Sequence, residues 1–175
     1  MSTAAESAIS LAEEALRLSL ADSPAFRTWC GAANQAEALA KIHHEALPAP
    51  ANADAYTKSE IQGLRPYAIV WTDPEDGHRR ERIAQGVHKD GGTLHLRLVQ
   101  NYAAGDAPGE ASRKLENDAG KILDDLETNS TTSGVTSAYL VIERMAPAGP
   151  YRCGDDEEVV EGDFLWMDVR VEWGG

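Results

Sequence analysis

The C-terminal segment is the part of the sequence that most restricts how this chain can fold. Its apolar side chains occupy alternate positions: Leu165, Met167, Val169, Val171 and Trp173. The charged residues between them are Asp168, Arg170 and Glu172. A period of two over this length predicts a long β-strand with one buried face and one polar face, as in an antiparallel sheet.

Two large apolar residues, Phe164 and Trp166, lie on the polar side of this alternation. Burying them would gain little within a single subunit, because the other side of the strand already supplies the core. Apolar side chains on such a surface often mark a contact with another chain. We therefore expect Phe164 and Trp166 to lie at an interface between protomers.

A second pattern, between Pro108 and Thr128, has the period of an amphipathic helix. Its apolar stripe consists of Ala111, Leu115, Ala119, Ile122 and Leu126. Its opposite side carries the carboxylates of Glu116, Asp124 and Asp125, among others. The pattern predicts that the stripe packs on a sheet, while these acids remain open to solvent or to a channel.

The N-terminal part of the chain, residues 1–44, has helical spacing of its apolar residues. Ser23, followed by Pro24, predicts the cap of a second short helix. Asn34 has Glu37 three residues later, which predicts a third helix that reaches about Ile42. Residues 45–64 contain prolines and small polar residues that break periodicity, and they predict a long loop.

Residues 65–175 predict a β-β-β-α-β-β core. A short strand is expected at Tyr67–Thr72, and a hairpin is expected to turn at Lys89–Gly92, because Asp-Gly is a strong turn signal. A further strand is expected at Val135–Met145 before the C-terminal strand. The whole chain, 1–175, is thus expected to be one α+β domain. It would have a helical N-terminal region and a mostly antiparallel sheet of about five strands, with one long helix packed on it.

Charge restricts the partners of this protein. Its 16 Lys and Arg residues stand against 29 Asp and Glu residues, which gives a formal net charge of −13. Phosphate binding draws on clustered cations, so the composition disfavours a nucleic-acid-binding protein. No apolar run approaches the roughly 20 residues that cross a bilayer, and the N-terminus lacks the pattern of a secretory signal. We expect no membrane partner.

The sequence contains no recognisable catalytic, cofactor-binding or metal-binding motif. Gly-x-Ser-x-Gly, phosphate-loop and dinucleotide-binding motifs are absent. The adjacent His43 and His44 would diverge on a helix or strand, and His88 and His95, expected across the hairpin, lack further metal ligands. Cys30 and Cys153 lie far apart and are expected to be free thiols. We therefore expect no catalytic residues, no cofactor and no metal, and a protein that is not an enzyme.

Short segments in a particular order extend over most of the chain. They are Ser23-Pro24-Ala25-Phe26, Ala38-Leu39-Ala40-Lys41-Ile42, Leu64-Arg65-Pro66-Tyr67-Ala68-Ile69-Val70, Leu115-Glu116-Asn117-Asp118-Ala119-Gly120-Lys121-Ile122, Glu161-Gly162-Asp163 and Val171-Glu172-Trp173-Gly174. In this layout the chain resembles the tail terminator (tail completion) and neck proteins of long-tailed bacteriophages. It departs from them in its longer N-terminal region and in the added segment at 45–64.

The resemblance implies a virion structural protein that forms a homo-oligomeric ring, typically a hexamer, at the head-proximal end of the tail. Such a ring ends polymerisation of the tail tube protein and joins the tail to the head-tail connector or stopper protein. DNA passes through it only as cargo. The implied location is the neck of the virion, after assembly in the host cytoplasm.

Two sets of residues are candidates for contacts in such a ring. Long exposed connections often carry binding, so the candidates for contacts to adjacent rings are Pro48, Pro50, Asp155, Asp156, Glu157 and Glu158. Acidic side chains repel DNA within a Debye length of about 8 Å, so the candidate channel-lining acids are Glu116, Asp124 and Asp125. Two alternatives stay open: a head-completion or stopper ring, and a non-viral α+β ligand-binding or accessory domain.

Overall fold

The computed structural model describes residues 7–50, 56–101, 108–129, 139–148 and 164–174. The helices are α1 (Ala8–Asp22), α2 (Pro24–Cys30), α3 (Gln35–Leu39), α4 (Lys58–Leu64) and α5 (Pro108–Asn129). The strands are β1 (Ile42–His44), β2 (Tyr67–Thr72), β3 (Arg79–Ala84), β4 (Val87–Asn101), β5 (Tyr139–Ala148) and β6 (Phe164–Gly174). The α+β class that the sequence predicts is confirmed.

The described strands form one mixed sheet in the order β1-β2-β4-β6-β5, and β3 pairs with the first part of β4. The β1–β2 pair is parallel, whereas the other described pairs are antiparallel. The C-terminal strand β6 is therefore central, between β4 and β5. This position explains why its apolar alternation is so regular, because the β6 backbone is paired with β4 on one side and, from Trp166 onward, with β5 on the other.

The hydrophobic core lies between one face of the sheet and the helices α1, α2 and α5. The sheet contributes the alternate leucines of β4 and the apolar positions of β6, all fully buried: Leu94, Leu96, Leu98, Leu165, Met167, Val169 and Val171. The stripe predicted on α5 is buried against them, which confirms that prediction. Full burial of one such aliphatic side chain contributes roughly 1.5–3 kcal/mol.

Side-chain caps define the N-terminal helices as the sequence predicts. The Ser23 hydroxyl accepts a 3.0 Å hydrogen bond from the backbone N–H of Phe26, and Pro24 is the first residue of α2. The Asn34 side chain accepts a 3.0 Å bond from the N–H of Glu37 at the start of α3. Such caps satisfy backbone donors that a helix start otherwise leaves unpaired.

Two predictions about the N-terminal half are wrong. The third helix ends at Leu39 rather than near Ile42, because Ile42–His44 pair with β2 as the edge strand β1. The segment 45–64 is not a loop throughout, since Lys58–Leu64 form α4. A capping box starts α4: Thr57 accepts from the Glu60 N–H, and the Glu60 carboxylate accepts from the Thr57 N–H at 2.8 Å.

The predicted position of the hairpin turn is also wrong. The chain turns at Gln85-Gly86, where Gly86 has a φ of 79°, and Lys89–Gly92 lie inside β4. Gly92 is needed for a close approach instead, because a Cβ there would lie 2.1 Å from the carbonyl oxygen of Gly77. As a further consequence, His88 and His95 lie on the same strand and do not face each other across the hairpin.

Candidate functional site

The candidate site is the sheet face that turns away from α1, α2 and α5. Strand register places its side chains in rows across β2, β4 and β6: Trp71, His95 and Arg170; Ile69, Arg97 and Asp168; Tyr67, Val99 and Trp166. Phe164, the first residue of β6, lies beyond the last of these rows, opposite Asn101. We call the group Trp71, His95, Arg97, Phe164, Trp166 and Asp168 the open face. Its β6 side chains are half-buried, whereas the alternate residues of β6 are buried under the helices.

Arg97 lies at the centre of the open face. Its guanidinium donates hydrogen bonds of 2.6 and 2.7 Å to the two carboxylate oxygens of Asp168. The guanidinium carbon lies 5.5 Å from the ring centroid of Trp71 and 5.7 Å from that of Trp166. Bidentate pairing and cation–π contacts of this kind fix an arginine in one position. The centre of the face is therefore a preorganised layer of aromatic and charged side chains.

Phe164 and Trp166 form an adjacent pair of aromatic rings at one end of the open face. Their centroids lie 5.8 Å apart, and the guanidinium of Arg65 lies 4.4 Å from the centroid of Phe164. The structure thus places both residues on the polar side of β6, as the alternation indicates. That a neighbouring protomer covers them stays a prediction.

His95 and Asp73 border the open face beside Trp71. The ring of His95 stacks on Trp71 with centroids 5.0 Å apart, and its Nε2 lies 2.7 Å from a carboxylate oxygen of Asp73. The hydrogen bond with His95, together with N–H bonds from Asp76 and Glu75, lowers the pKa of Asp73 to about 2. Asp73 is therefore a charged, fully hydrogen-bonded group that holds the His95 ring in place.

The three predicted channel acids on α5 differ in their surroundings. Asp124 is exposed and Glu116 is half-buried. The carboxylate of Asp125 accepts hydrogen bonds from the Ser23 hydroxyl at 2.6 Å and from the Ala25 N–H at 3.0 Å. Asp125 therefore joins α5 to the start of α2, so its placement on a freely exposed acidic face is wrong. The channel role of Glu116 and Asp124 stays a prediction.

The residues predicted to contact adjacent rings are only partly described. Pro48 is exposed and Pro50 half-buried, and the hydroxyl of Tyr56 donates a hydrogen bond to the Pro48 carbonyl. Asp155, Asp156, Glu157 and Glu158 lie outside the described residues. Cys153 lies outside them as well, whereas Cys30 is buried, and that burial raises the pKa of its thiol.

The histidines do not gather into a metal site within the described ranges. No group of three or more His, Cys, Asp or Glu side chains there could hold an ion. His43 packs edge-on against Tyr67 at 5.7 Å, and burial lowers its pKa. The neighbouring His44 points elsewhere and lies 2.8 Å from a carboxylate oxygen of Glu13.

A shallow groove of about 410 Å³ lies between the start of β4 and the end of β6. Its walls are mostly charged, and the residues that line it include Arg79, Arg80, Lys89, Asp90, Glu172 and Trp173. Small-molecule sites are usually lined by apolar and aromatic side chains with a few polar groups. The groove therefore gives little support to a ligand-binding protein.

The fold and the open face define an α+β protein with one sheet face buried under helices and the other equipped with aromatic and charged side chains. No protein-family model matches the chain, and no curated protein matches it either. Within the described part of the chain, no helix combines the length and apolar character that crossing a membrane requires.

Proposed function

We propose that this chain is a virion protein that forms a ring at the head-proximal end of a phage tail. The ring ends polymerisation of the tail tube and joins the tail to the head connector, while DNA passes through its centre. The open face of the sheet is the main contact between its subunits. The resemblance to tail terminator proteins supports the proposed role in the virion. The open face supports the proposed association of subunits.

The observation that carries the proposal is the aromatic pair Phe164 and Trp166 on the open face. A lone subunit leaves both rings half-buried. Burial of such a side chain from an exposed state contributes roughly 1.5–3 kcal/mol, and part of that gain remains available when a partner covers them. The charge of Arg97 beside Trp166 does not oppose such burial, because Arg97 is already paired with Asp168. Interface cores are typically rich in aromatic residues and arginine with charges satisfied in this way.

A ring accounts for tail termination by geometry alone. A ring stacked on the open end of a tube covers the surface on which the next tube subunit would dock, so elongation stops. The formal charge of −13 is compatible with a passage that repels DNA and lets it slide. This role requires no catalytic group.

Assembly of the purified protein tests the proposal. Negative-stain images and mass measurements should show rings of identical subunits for the wild type. Phe164→Ser with Trp166→Ser should weaken association by roughly 100-fold or more, because two aromatic side chains lose their burial. Circular dichroism should show that this variant stays folded.

A matched control keeps both positions apolar and bulky. Phe164→Leu with Trp166→Phe should still form rings. A wild-type protein that stays monomeric at high concentration contradicts the proposal, and so does a Ser double variant that assembles normally.

A further inference from the structure

The strands β3 and β4 form a two-stranded arm, residues Arg79–Asp90, that extends beyond the rest of the sheet. Among the described strands β3 pairs only with β4, and β4 reaches its next partner, β6, only at Gly91. Every residue of β3 is exposed, and so are Val87, His88 and Lys89. An isolated two-stranded hairpin is only marginally stable in water, so such an arm gains most from docking on another surface.

The tip of the arm is apolar. Ile83 is 62% exposed and Val87 is 52% exposed, and these are the two large exposed hydrophobic side chains among the described residues. They flank the turn at Gly86, at the end of the arm farthest from the sheet. Their position at the end of a projection suits insertion into a partner.

The arm is the basic part of an acidic chain. It carries four basic side chains against two acidic ones, whereas the whole chain has 16 basic and 29 acidic residues. Arg79 pairs with Asp76 at 3.0 Å and Arg80 with Asp90 at 2.8 Å. Arg82 and Lys89 form no ion pair with any described residue. Their charge is complementary to the acidic surface of a second copy of this chain.

The charges along β3 also restrict how the arm can dock. Charged side chains on an edge strand oppose the addition of another strand. The arm therefore docks through its side chains and its apolar tip, and not by extending the sheet.

A glycine on α5 indicates where the arm docks. Gly120 lies in the middle of α5, although glycine lowers helix stability relative to alanine. Apart from the helix itself, no atom of the described residues lies within 4 Å of the place where its Cβ would be, so packing among these residues does not require a glycine. Gly120 is half-buried, and a helix position without a side chain permits close approach by another chain.

Two acids flank Gly120 on the same face of α5. Glu116 precedes it by four residues and Asp124 follows it by four, so the three residues lie along one line of the helix. Neither carboxylate forms an ion pair within the described residues, whereas Lys114 and Lys121 are both bound to Asp118 elsewhere on the helix. The α5 face therefore combines unpaired negative charge with open space.

We propose that the arm of one copy docks on the Glu116–Gly120–Asp124 face of α5 in a second copy. Ile83 and Val87 lie over Gly120, while Lys89, which shares a face of the arm with Val87, approaches the two carboxylates. The inference rests on the proposed assembly of identical subunits, and it assigns these acids to a contact between subunits instead of the channel lining. Such a contact joins two different surfaces, which is the arrangement that generates rings.

Charge reversal tests the contact. Lys89→Glu, and separately Glu116→Lys with Asp124→Lys, should each weaken association of the purified protein by about tenfold or more. The variant with all three substitutions should recover association close to that of the wild type, because the charges are complementary again. Failure to recover overturns the proposal, provided that circular dichroism shows the variant to be folded.

Glycine replacement supplies a second test that does not depend on charge. Gly120→Ala should raise the unfolding temperature of the subunit and yet weaken association. Gly63→Ala is the matched control, since Gly63 is also helical with no atom within 4 Å of a Cβ. It should raise the unfolding temperature without changing association. A Gly120→Ala protein that associates as well as the wild type overturns the proposal.

A photo-crosslinker at position 83 identifies the partner directly. It should link to α5 of a second copy, and a link to another segment or to a different protein overturns the inference. If the wild type is monomeric, the proposed function itself fails. If the wild type forms rings but the arm and Gly120 variants do so equally well, only the docking of the arm fails.

Discussion

Arg97 and Asp168 lie opposite each other on β4 and β6, joined by two hydrogen bonds of 2.6 and 2.7 Å. Both side chains are partly exposed, at 40% and 34%, and the tryptophans of the neighbouring rows, Trp71 and Trp166, flank the arginine. The pair therefore neutralises the centre of the open face. A partner can cover the centre of that face without burying Arg97 or Asp168 as an isolated charge, which would cost several kcal/mol.

Replacing Asp168 by Asn should affect the stability of the subunit much less than the association between subunits. The free energy of unfolding should fall by about 1 kcal/mol or less, because the pair is partly exposed. Association should weaken by roughly 3 kcal/mol, since Arg97 would then be covered without a counter-charge. Urea unfolding and sedimentation equilibrium measure the two effects. Asp118→Asn, which removes exposed ion pairs on α5, should change neither by more than about 0.5 kcal/mol.

Leu115→Ala should lower the free energy of unfolding by about 2–5 kcal/mol. Leu115 is 2% exposed and packs in the core between α5 and the sheet, so its loss leaves a cavity. Lys114→Ala on the exposed side of the helix is the control, with an expected change within about 0.5 kcal/mol. Equal denaturant midpoints for the two variants would show that the stripe of α5 is not core.

Asp124 and Asp125 are neighbours with the same charge, yet they should respond differently to substitution. Asp125→Ala removes the acceptor for the Ser23 hydroxyl and the Ala25 N–H, so unfolding should become easier by about 1–2 kcal/mol. Asp124→Ala should leave the unfolding free energy within about 0.5 kcal/mol of the wild type, because its side chain is exposed. Thermal unfolding of both variants at pH 7 makes the comparison. A similar loss in both would contradict the role of Asp125.

Stability should decline when the pH falls from about 4 towards 2. Hydrogen bonds with His95 and with backbone N–H groups lower the pKa of Asp73 to about 2, and Arg80 and His78 do the same for Asp90. Both carboxylates stabilise the folded state fully above the ordinary carboxyl pKa of about 4. Their contribution is lost as the pH falls, because the unfolded chain takes up protons first.

Urea unfolding at several pH values tests this dependence in the wild type, Asp73→Asn and Asp90→Asn. Each variant should be less stable than the wild type at pH 6 and should lose less stability between pH 4 and 2. Parallel pH curves for all three proteins would show that neither carboxylate controls the acid response.

Local patterns in the sequence predict the elements that are determined by the periodicity of apolar residues and by capping hydrogen bonds between near neighbours. The alternation in β6 and the stripe on α5 persist over many residues, and each fixes which side faces the core. The caps at Ser23 and Asn34 were also predictable, because a helix start needs a hydrogen-bond acceptor within a few residues.

Long-range contacts explain where the predictions were wrong. Asp90-Gly91 has the composition of a turn, but Asp90 pairs with Arg80 and Gly92 allows Gly77 to approach. The sequence predicts that Ile42 is helical, because no neighbouring residue indicates that Ile42 pairs with β2. The start of α4 could have been found, since Thr57 and Glu60 have the spacing of a capping box.

The side chains at the centre of the open face could not be predicted from short stretches of sequence. The positions of Phe164 and Trp166 on the polar side of their strand are visible in the sequence. The contacts of Arg97 and Trp71 depend on the register that aligns β2, β4 and β6. Asp125 illustrates the same limit, because its partner Ser23 lies 102 residues away in the chain. Sequence periodicity identified the face of each element and could not identify which side chains meet.

Electron microscopy of virions tests the proposed function most directly. Particles made from a genome in which this gene carries an early stop codon should show DNA-filled heads together with tails that are overlong or unattached. Wild-type protein supplied in trans should restore attached tails of normal length, whereas the Phe164→Ser and Trp166→Ser double variant should not. Tails of normal length on filled heads in the absence of the protein would contradict the proposed function.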